Sequence, residues 1–250
     1  MPLYIIEIVV LLLAVLALSA LARNHLHTHQ PAWALPLAQH RVRLLLLIAL
    51  LMTAIVLSIL VLHGRTRELD TAILLYLHAH ASPSALGFFE RVTLSGASHY
   101  LIPAISLCTV TLLIWGRRLE AVLLAASGVS GMLTTYLIKS MVARDRPALW
   151  DTALYWGSSF PSGHTLGTAA CATAGVLCLR RLSPAAQPLG LILATSWIGL
   201  VGLSRLVLGV HWPTDVLAGI CIGVAVALMV DLSLDLLSDR WSRRRAAISP

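Results

Sequence analysis

The chain has 250 residues, 58% of them hydrophobic and only 12% charged, with a formal net charge of +7. Its mean hydropathy is +0.85. Soluble domains carry charge on about a quarter of their residues, so this composition excludes an ordinary soluble protein.

Apolar runs of the length that crosses a bilayer as a helix recur from end to end, and no alternating β-barrel pattern is evident. Seven spans are predicted, at 3–22, 42–63, 99–116, 119–139, 162–180, 187–205 and 213–236. The expected fold is all-α, a polytopic transmembrane bundle of about six core spans plus one extra N-terminal span. Residues 1–41 then form the first span and a cytoplasmic joint, 42–236 the core, and 237–250 a basic tail. "ALSALA" at 17–22 resembles a signal-peptide cleavage site, but the run before it has Glu7 and no cation. The n-region is therefore wrong for a signal peptide, and 3–22 is expected to be a retained span. Cys108, Cys171, Cys178 and Cys221 all fall in apolar runs without metal-ligand spacing, which fits small packing residues.

Lys and Arg orient the spans. Arg23, Arg41, Arg43, Arg117, Arg118, Arg180, Arg181, Arg240, Arg243, Arg244 and Arg245 fall on one side, expected to be cytoplasmic. The other side has Arg65, Arg67, Arg91, Lys139, Arg144, Arg146 and Arg205. Four of these cluster around the end of span four, the loop after it and the end of span six, against the topological bias. A role in topology explains the first set and not the cluster. Because the basic residues sit mostly at span ends, nucleic-acid binding is not expected.

Three stretches share that outer face by span parity: "KSMVARDRP" from Lys139, "FPSGH" from Phe160 and "SRLVLGVHWPTD" from Ser204. Cations crowded at a membrane interface repel one another unless an anion joins them. Arginine forks suit phosphate oxygens and lysine adds a point charge; Lys139 is the chain's only lysine. In "PSGH", Pro161 is expected in the first turn of span five, where free amides and the helix dipole favour phosphate. His211 precedes Asp215 by four residues. If span seven starts near Trp212–Pro213, the carboxylate can accept from one ring nitrogen and leave the other free to attack. Asp215 also suits an early helical turn. His25, His27, His29, His40, His63, His78, His80 and His99 are read as structural, and no metal is assigned to "HLHTH" at 25–29, which lacks cysteine or acidic partners.

Together, Lys139-x6-Arg146-Pro147, Pro161-Ser162-Gly163-His164 and Ser204-Arg205-x5-His211-x3-Asp215 resemble the three signature motifs of the type 2 phosphatidic acid phosphatase family. The resemblance covers about 42–236. It implies an integral-membrane lipid phosphatase working without cofactor or metal. It implies His211 as the nucleophile, Asp215 as its orienter and His164 as the general acid. Lys139, Arg146, Arg205, Ser162 and Gly163 would bind the phosphate, and Arg144 is not a signature position. Phosphatidic acid, phosphatidylglycerol phosphate and undecaprenyl diphosphate all fit a site at the membrane surface, with the bilayer and the lipid phosphate as partners. The oligomeric state is left open. A lipid phosphotransferase is the closest rival; a soluble vanadium haloperoxidase and a silent transporter or scaffold fit less well. The outer segment 64–98 reads equally as a surface connector or a substrate gate. Trp150, Tyr155 and Trp156 read as interface anchors.

Overall fold

The structure is a computed structural model that describes residues 40–151 and 157–248, with side chains to residue 238. The described residues from Leu47 onward belong to one compact unit, which holds every contact discussed below; described residues 40–46 fall outside it. The span expected over 3–22 lies outside the described residues, as do Tyr155 and Trp156.

The described chain is helical, with no strand: α1 Arg41–Leu62, α2 Arg67–His80, α3 Pro83–Ser95, α4 Ser98–Ile114, α5 Arg118–Val142, α6 Gly163–Leu182, α7 Gln187–Val207 and α8 Pro213–Ile248, with a short 3₁₀ turn at Pro184–Ala186. The six core spans read from the sequence coincide with α1 and α4–α8 to within a few residues, apart from the longer C-terminal end of α8. Among the described residues, four helices (α1, α5, α8, and α7 with its preceding turn) are long and apolar enough to cross a membrane, or five if the bent pair α3–α4 acts as one span. The six core spans are therefore more than the four or five helices that are long and apolar enough, and the extra N-terminal span lies outside the described residues.

α6 falls outside that tally for a physical reason. Its sequence, GHTLGTAACATAGVLCLRRL, is built of small residues and threonines, and most of it is buried among other helices. It packs on α5, α7 and α8, so its neighbours, not α6, meet the lipid. Because lipid tails are as apolar as leucine, such helices are held together by close packing, which small residues permit. Gly219 and Gly223 of α8 illustrate this. A β-carbon at Gly219 would lie 2.9 Å from the Ser162 carbonyl oxygen, and one at Gly223 would lie 2.7 Å from Ala169 Cβ and press on the Leu166 carbonyl. Gly131 of α5 is similarly placed, 3.2 Å from Ala170 Cβ. These glycines, in "SGVSG" at 127–131 and "GICIG" at 219–223, permit the close approach of α5 and α8 to α6.

Two features fix the ends of the bundle. At the far end of α6 and α8, Arg181 bridges Asp231 at 2.8 Å and Asp235 at 2.7 Å, and Arg180 reaches Asp231 at 3.0 Å. At the other end, the C-termini of α5 and α7 meet the N-termini of α6 and α8. That is where the three sequence stretches lie. The segment 64–98 is no loose connector: α2 and α3 pack on α7, and α2 buries Asp70 and Leu74, one turn apart on one face. α3 and α4 meet at 46°, with the break at Gly96, where a β-carbon would fall 2.6 Å from Val201 Cγ1.

Candidate active site

The first stretch leaves α5 through Ala143, whose φ of 44° places it in the left-handed region, a conformation that costs a non-glycine residue about 1–2 kcal/mol. The turn ends the helix and sends 144–147 on in irregular backbone. Side chains two apart here face the same way, toward the bundle. Arg144 and Arg146 are accordingly half-buried while Asp145 between them is exposed. The segment is clipped on both sides. Ser159 N donates to Arg144 O at 2.8 Å, and Trp212 Nε1 donates to Asp145 O at 2.9 Å. Arg146 Nη1 donates to Val210 O at 2.9 Å. Lys139, in the last turn of α5, donates through Nζ to Ser158 O.

The second stretch opens α6. Ser162 is the N-cap and Gly163 the first helical residue. Pro161 therefore stands one residue before the cap, joined to Phe160 by a cis peptide, and not inside the first turn as expected. The reason is local: Ser162 is still extended, with ψ 111°, so the helix begins one step later. The first-turn amides of the helix, starting with Gly163, still point out of its end. Ser162 N donates to Asp215 O at 3.0 Å, tying this helix start to that of α8. Thr165 Oγ1 donates to Ser162 Oγ at 3.0 Å, which leaves the Ser162 hydroxyl proton to be donated elsewhere. His164 stands within electrostatic reach of Arg205, His211, Arg146 and His99.

The third stretch joins α7 to α8. Arg205 is fully buried and its Nη1 donates to Thr93 Oγ1 of α3 at 2.5 Å. Trp212, Pro213, Thr214 and Asp215 form a helix start in which Asp215 reaches back: its Oδ2 accepts from Trp212 N at 2.9 Å, in the manner of a capping box. The same oxygen lies 3.3 Å from His211 Nδ1. Asp215 thus has both roles that the sequence allowed, helix-start residue and partner of His211. With Nδ1 donating to Asp215, Nε2 carries the lone pair, and it accepts from Arg146 Nη1 at 3.2 Å. Burial pulls the His211 imidazole down to about 4; Asp215 opposes that shift, while Arg205 and Arg146 reinforce it. At neutral pH the ring is therefore uncharged, the state in which Nε2 is a nucleophile.

Lys139 and His211 thus each lie within electrostatic reach of Arg146, Arg205 and Asp215, with His164 near Arg205, His211 and Arg146 and Ser162 bonded to Asp215. A β-carbon at Gly163 would lie 3.9 Å from Lys139 Cε. All eight positions singled out in the sequence fall at this one end of the bundle. Four partners were not singled out as site residues. Arg144 donates to Asp215 Oδ1 at 2.5 Å and to Asp70 Oδ2 at 2.7 Å. Thr214 N donates to Asp70 Oδ1 at 3.1 Å, and Thr93 holds Arg205. Arg144 was legible from its place two residues before Arg146 in a segment leading to proline; Asp70 and Thr93 carry no local signal. Trp150 stacks on His78 with ring centroids 4.0 Å apart.

Comparison with known proteins places this arrangement. The PAP2 superfamily model matches residues 119–235. The decaprenylphosphoryl-5-phosphoribose phosphatase of Mycobacterium tuberculosis is 34% identical over 119 residues, 46% of this chain and 62% of that protein; the chain thus spans less than two thirds of that relative's length. Phosphatidylglycerophosphatase B of Bacillus subtilis is 28% identical over 142 residues, 56% of this chain and 70% of that protein. The crystal structure of a transmembrane PAP2-type phosphatidylglycerolphosphate phosphatase from Bacillus subtilis shares the fold, with a TM-score of 0.69 at 24% identity, covering 74% of this chain and 93% of that one.

Proposed function

The chain belongs to the PAP2 superfamily, a family of membrane lipid phosphatases, and from that premise we propose that it hydrolyses a lipid phosphate or diphosphate through a phosphohistidine on His211. The observation that carries this reading is the pairing at His211. Nδ1 is held by Asp215, and Nε2 faces Arg146, which is where a phosphate would take over the guanidinium and present phosphorus to the lone pair.

In the first half-reaction His211 Nε2 bonds to phosphorus as the P–O bond to the lipid breaks, and His164, protonated once the bound phosphate anion offsets the charges of Arg146 and Arg205 beside it, delivers that proton to the departing oxygen. In the second, His164 takes a proton from water, the water oxygen bonds to phosphorus, and the P–N bond breaks to regenerate neutral His211. Splitting one displacement into two lowers each barrier, and the proton transfers are each worth about 10²–10⁴-fold. Phosphoryl transfer depends above all on positioning and on neutralising the equatorial oxygens. Lys139, Arg146 and Arg205 supply that charge, Ser162 and Gly163 supply donors, and no metal is needed for it.

The site is proposed to face the periplasm or cell exterior with the C-terminus cytoplasmic, at the level where an acyl or prenyl tail stays in the bilayer. Phosphatidic acid, phosphatidylglycerol phosphate and undecaprenyl diphosphate are the proposed substrate types. The names of the relatives, a decaprenylphosphoryl-5-phosphoribose phosphatase and a phosphatidylglycerophosphatase, support a lipid-linked phosphate.

The test is a phosphate-release panel of monophosphate and diphosphate lipids in ¹⁸O-labelled water with EDTA present. Inorganic phosphate bearing one labelled oxygen is expected, with inhibition by vanadate. Transfer of the group to an acceptor without label would establish the phosphotransferase instead. Loss of turnover on chelation, restored by Mg²⁺, would contradict the metal-free scheme.

A further inference from the structure

Asp70 lies on α2, far from the three signature stretches in sequence, yet it is only 1% exposed. Its Oδ2 accepts from Arg144 Nη2 at 2.7 Å and from Thr214 Oγ1 at 2.7 Å. Its Oδ1 accepts from Thr214 N at 3.1 Å, an amide of the first turn of α8. Arg144 turns its other nitrogen to Asp215 Oδ1 at 2.5 Å and to Thr214 Oγ1 at 2.8 Å, and Thr66 Oγ1 accepts from Nη2 at 3.2 Å. One guanidinium thus spans two buried carboxylates, and the second of them holds His211.

We propose that Asp70 is a positioning residue for the nucleophile: it anchors Arg144 and Thr214, which in turn fix the carboxylate of Asp215 that orients His211. This rests on the phosphatase reading and adds to it a residue outside the three motifs. Asp215 must present Oδ2 to both Trp212 N and His211 Nδ1, so rotation of its carboxylate would swing the ring. Arg144 held at one end only is free to pivot and to carry Asp215 Oδ1 with it. Bonded to Asp70 at the other end, and stacked 5.4 Å from the Trp212 ring centroid, it is locked.

Docking of α2 alone does not account for the arrangement. An apolar side chain would dock the helix without the desolvation cost of a buried ion pair, which is often no better for stability than well-packed hydrophobic residues. Leu74, one turn on and fully buried, already serves that purpose. The segment 64–98 thereby becomes part of the catalytic apparatus, joined to His211 through Asp70 and to Arg205 through Thr93.

The experiment compares full-length wild type, Asp70→Asn, Asp215→Asn and the double variant in detergent micelles, with a monophosphate lipid as substrate. Misplacement on the ångström scale is expected to lower kcat in Asp70→Asn by about 10–100-fold, with KM within about threefold of wild type because the phosphate clamp is untouched. In the double variant, Asp70→Asn is expected to cost nothing beyond Asp215→Asn alone, as residues acting through one another do. A kcat within twofold of wild type, or losses that multiply in full, overturns the proposal. If Asp70→Asn does not fold, Arg144→Lys, which keeps the charge but cannot span both carboxylates, is read by the same two criteria. An active wild type silenced by His211→Ala, with Asp70→Asn unaffected, sinks this inference alone; an inactive wild type sinks the phosphatase reading beneath it.

Discussion

Replacing His211 with alanine is expected to lower phosphate release from lipid phosphates by about 10⁴–10⁶-fold, the scale seen when a nucleophile that works as part of a unit is removed, while the protein stays folded in detergent. The folding expectation follows from the surroundings. His211 is buried, but its bonds are to Asp215 and Arg146, and each of those has another partner. Asp215 keeps Trp212 N and Arg144, and Arg146 keeps the Val210 carbonyl. Truncating the ring therefore leaves no buried charge alone, the circumstance that makes such changes severe. Thermal unfolding followed by intrinsic fluorescence checks the fold, and released phosphate checks the chemistry. Full activity in a folded His211→Ala protein would remove the nucleophile assignment.

Arg146→Ala is expected to lower kcat by about 10²–10³-fold, the cost of deleting one donor from a preorganised charge-stabilising site, and to raise KM as well. Both parameters move because Arg146 does two things. It faces Nε2, where the transferring group develops charge in the transition state, and it offers the bound phosphate a cation in the ground state. Arg146→Lys is expected to recover only part of the loss, since lysine supplies charge without the planar fork that matches phosphate oxygens. Steady-state kinetics on one lipid phosphate separate the two outcomes. An unchanged kcat in Arg146→Ala would place the phosphate away from this side chain.

Much of this was legible in the sequence because it depends on local rules. Apolar runs with charged, glycine- or proline-bearing joints located α1 and α4–α8. The four-residue step from His211 to Asp215 located a real contact because Trp212–Pro213 starts a helix there. Local rules also explain the small miss at Pro161: a proline ahead of a helix suggests its first turn, but the extended Ser162 intervenes. The apolar run at 162–180 located α6 but not how deeply it is buried, since a helix surrounded by helices needs small residues more than strongly apolar ones.

What stayed hidden is the partnership between distant segments. Asp70 reads as an ordinary acidic residue in the first turn of an exposed helix, a favourable place by the dipole alone. Only packing brings it to Arg144 and Thr214. Thr93 is equally silent until α3 sets it against Arg205. The segment 64–98, balanced between connector and gate from its composition, packs on α7 and holds two side chains of the site.

The central claim is that segments far apart in sequence converge to hold one phosphoryl group against His211 Nε2. It is tested most directly by rapid quench of the wild-type protein with a ³²P-labelled lipid phosphate, followed by peptide mapping of the label. An acid-labile, base-stable adduct confined to His211, formed and discharged as fast as turnover and absent from His211→Ala, is the expected result. Turnover without any protein-bound phosphate, or label on a residue other than His211, would contradict it.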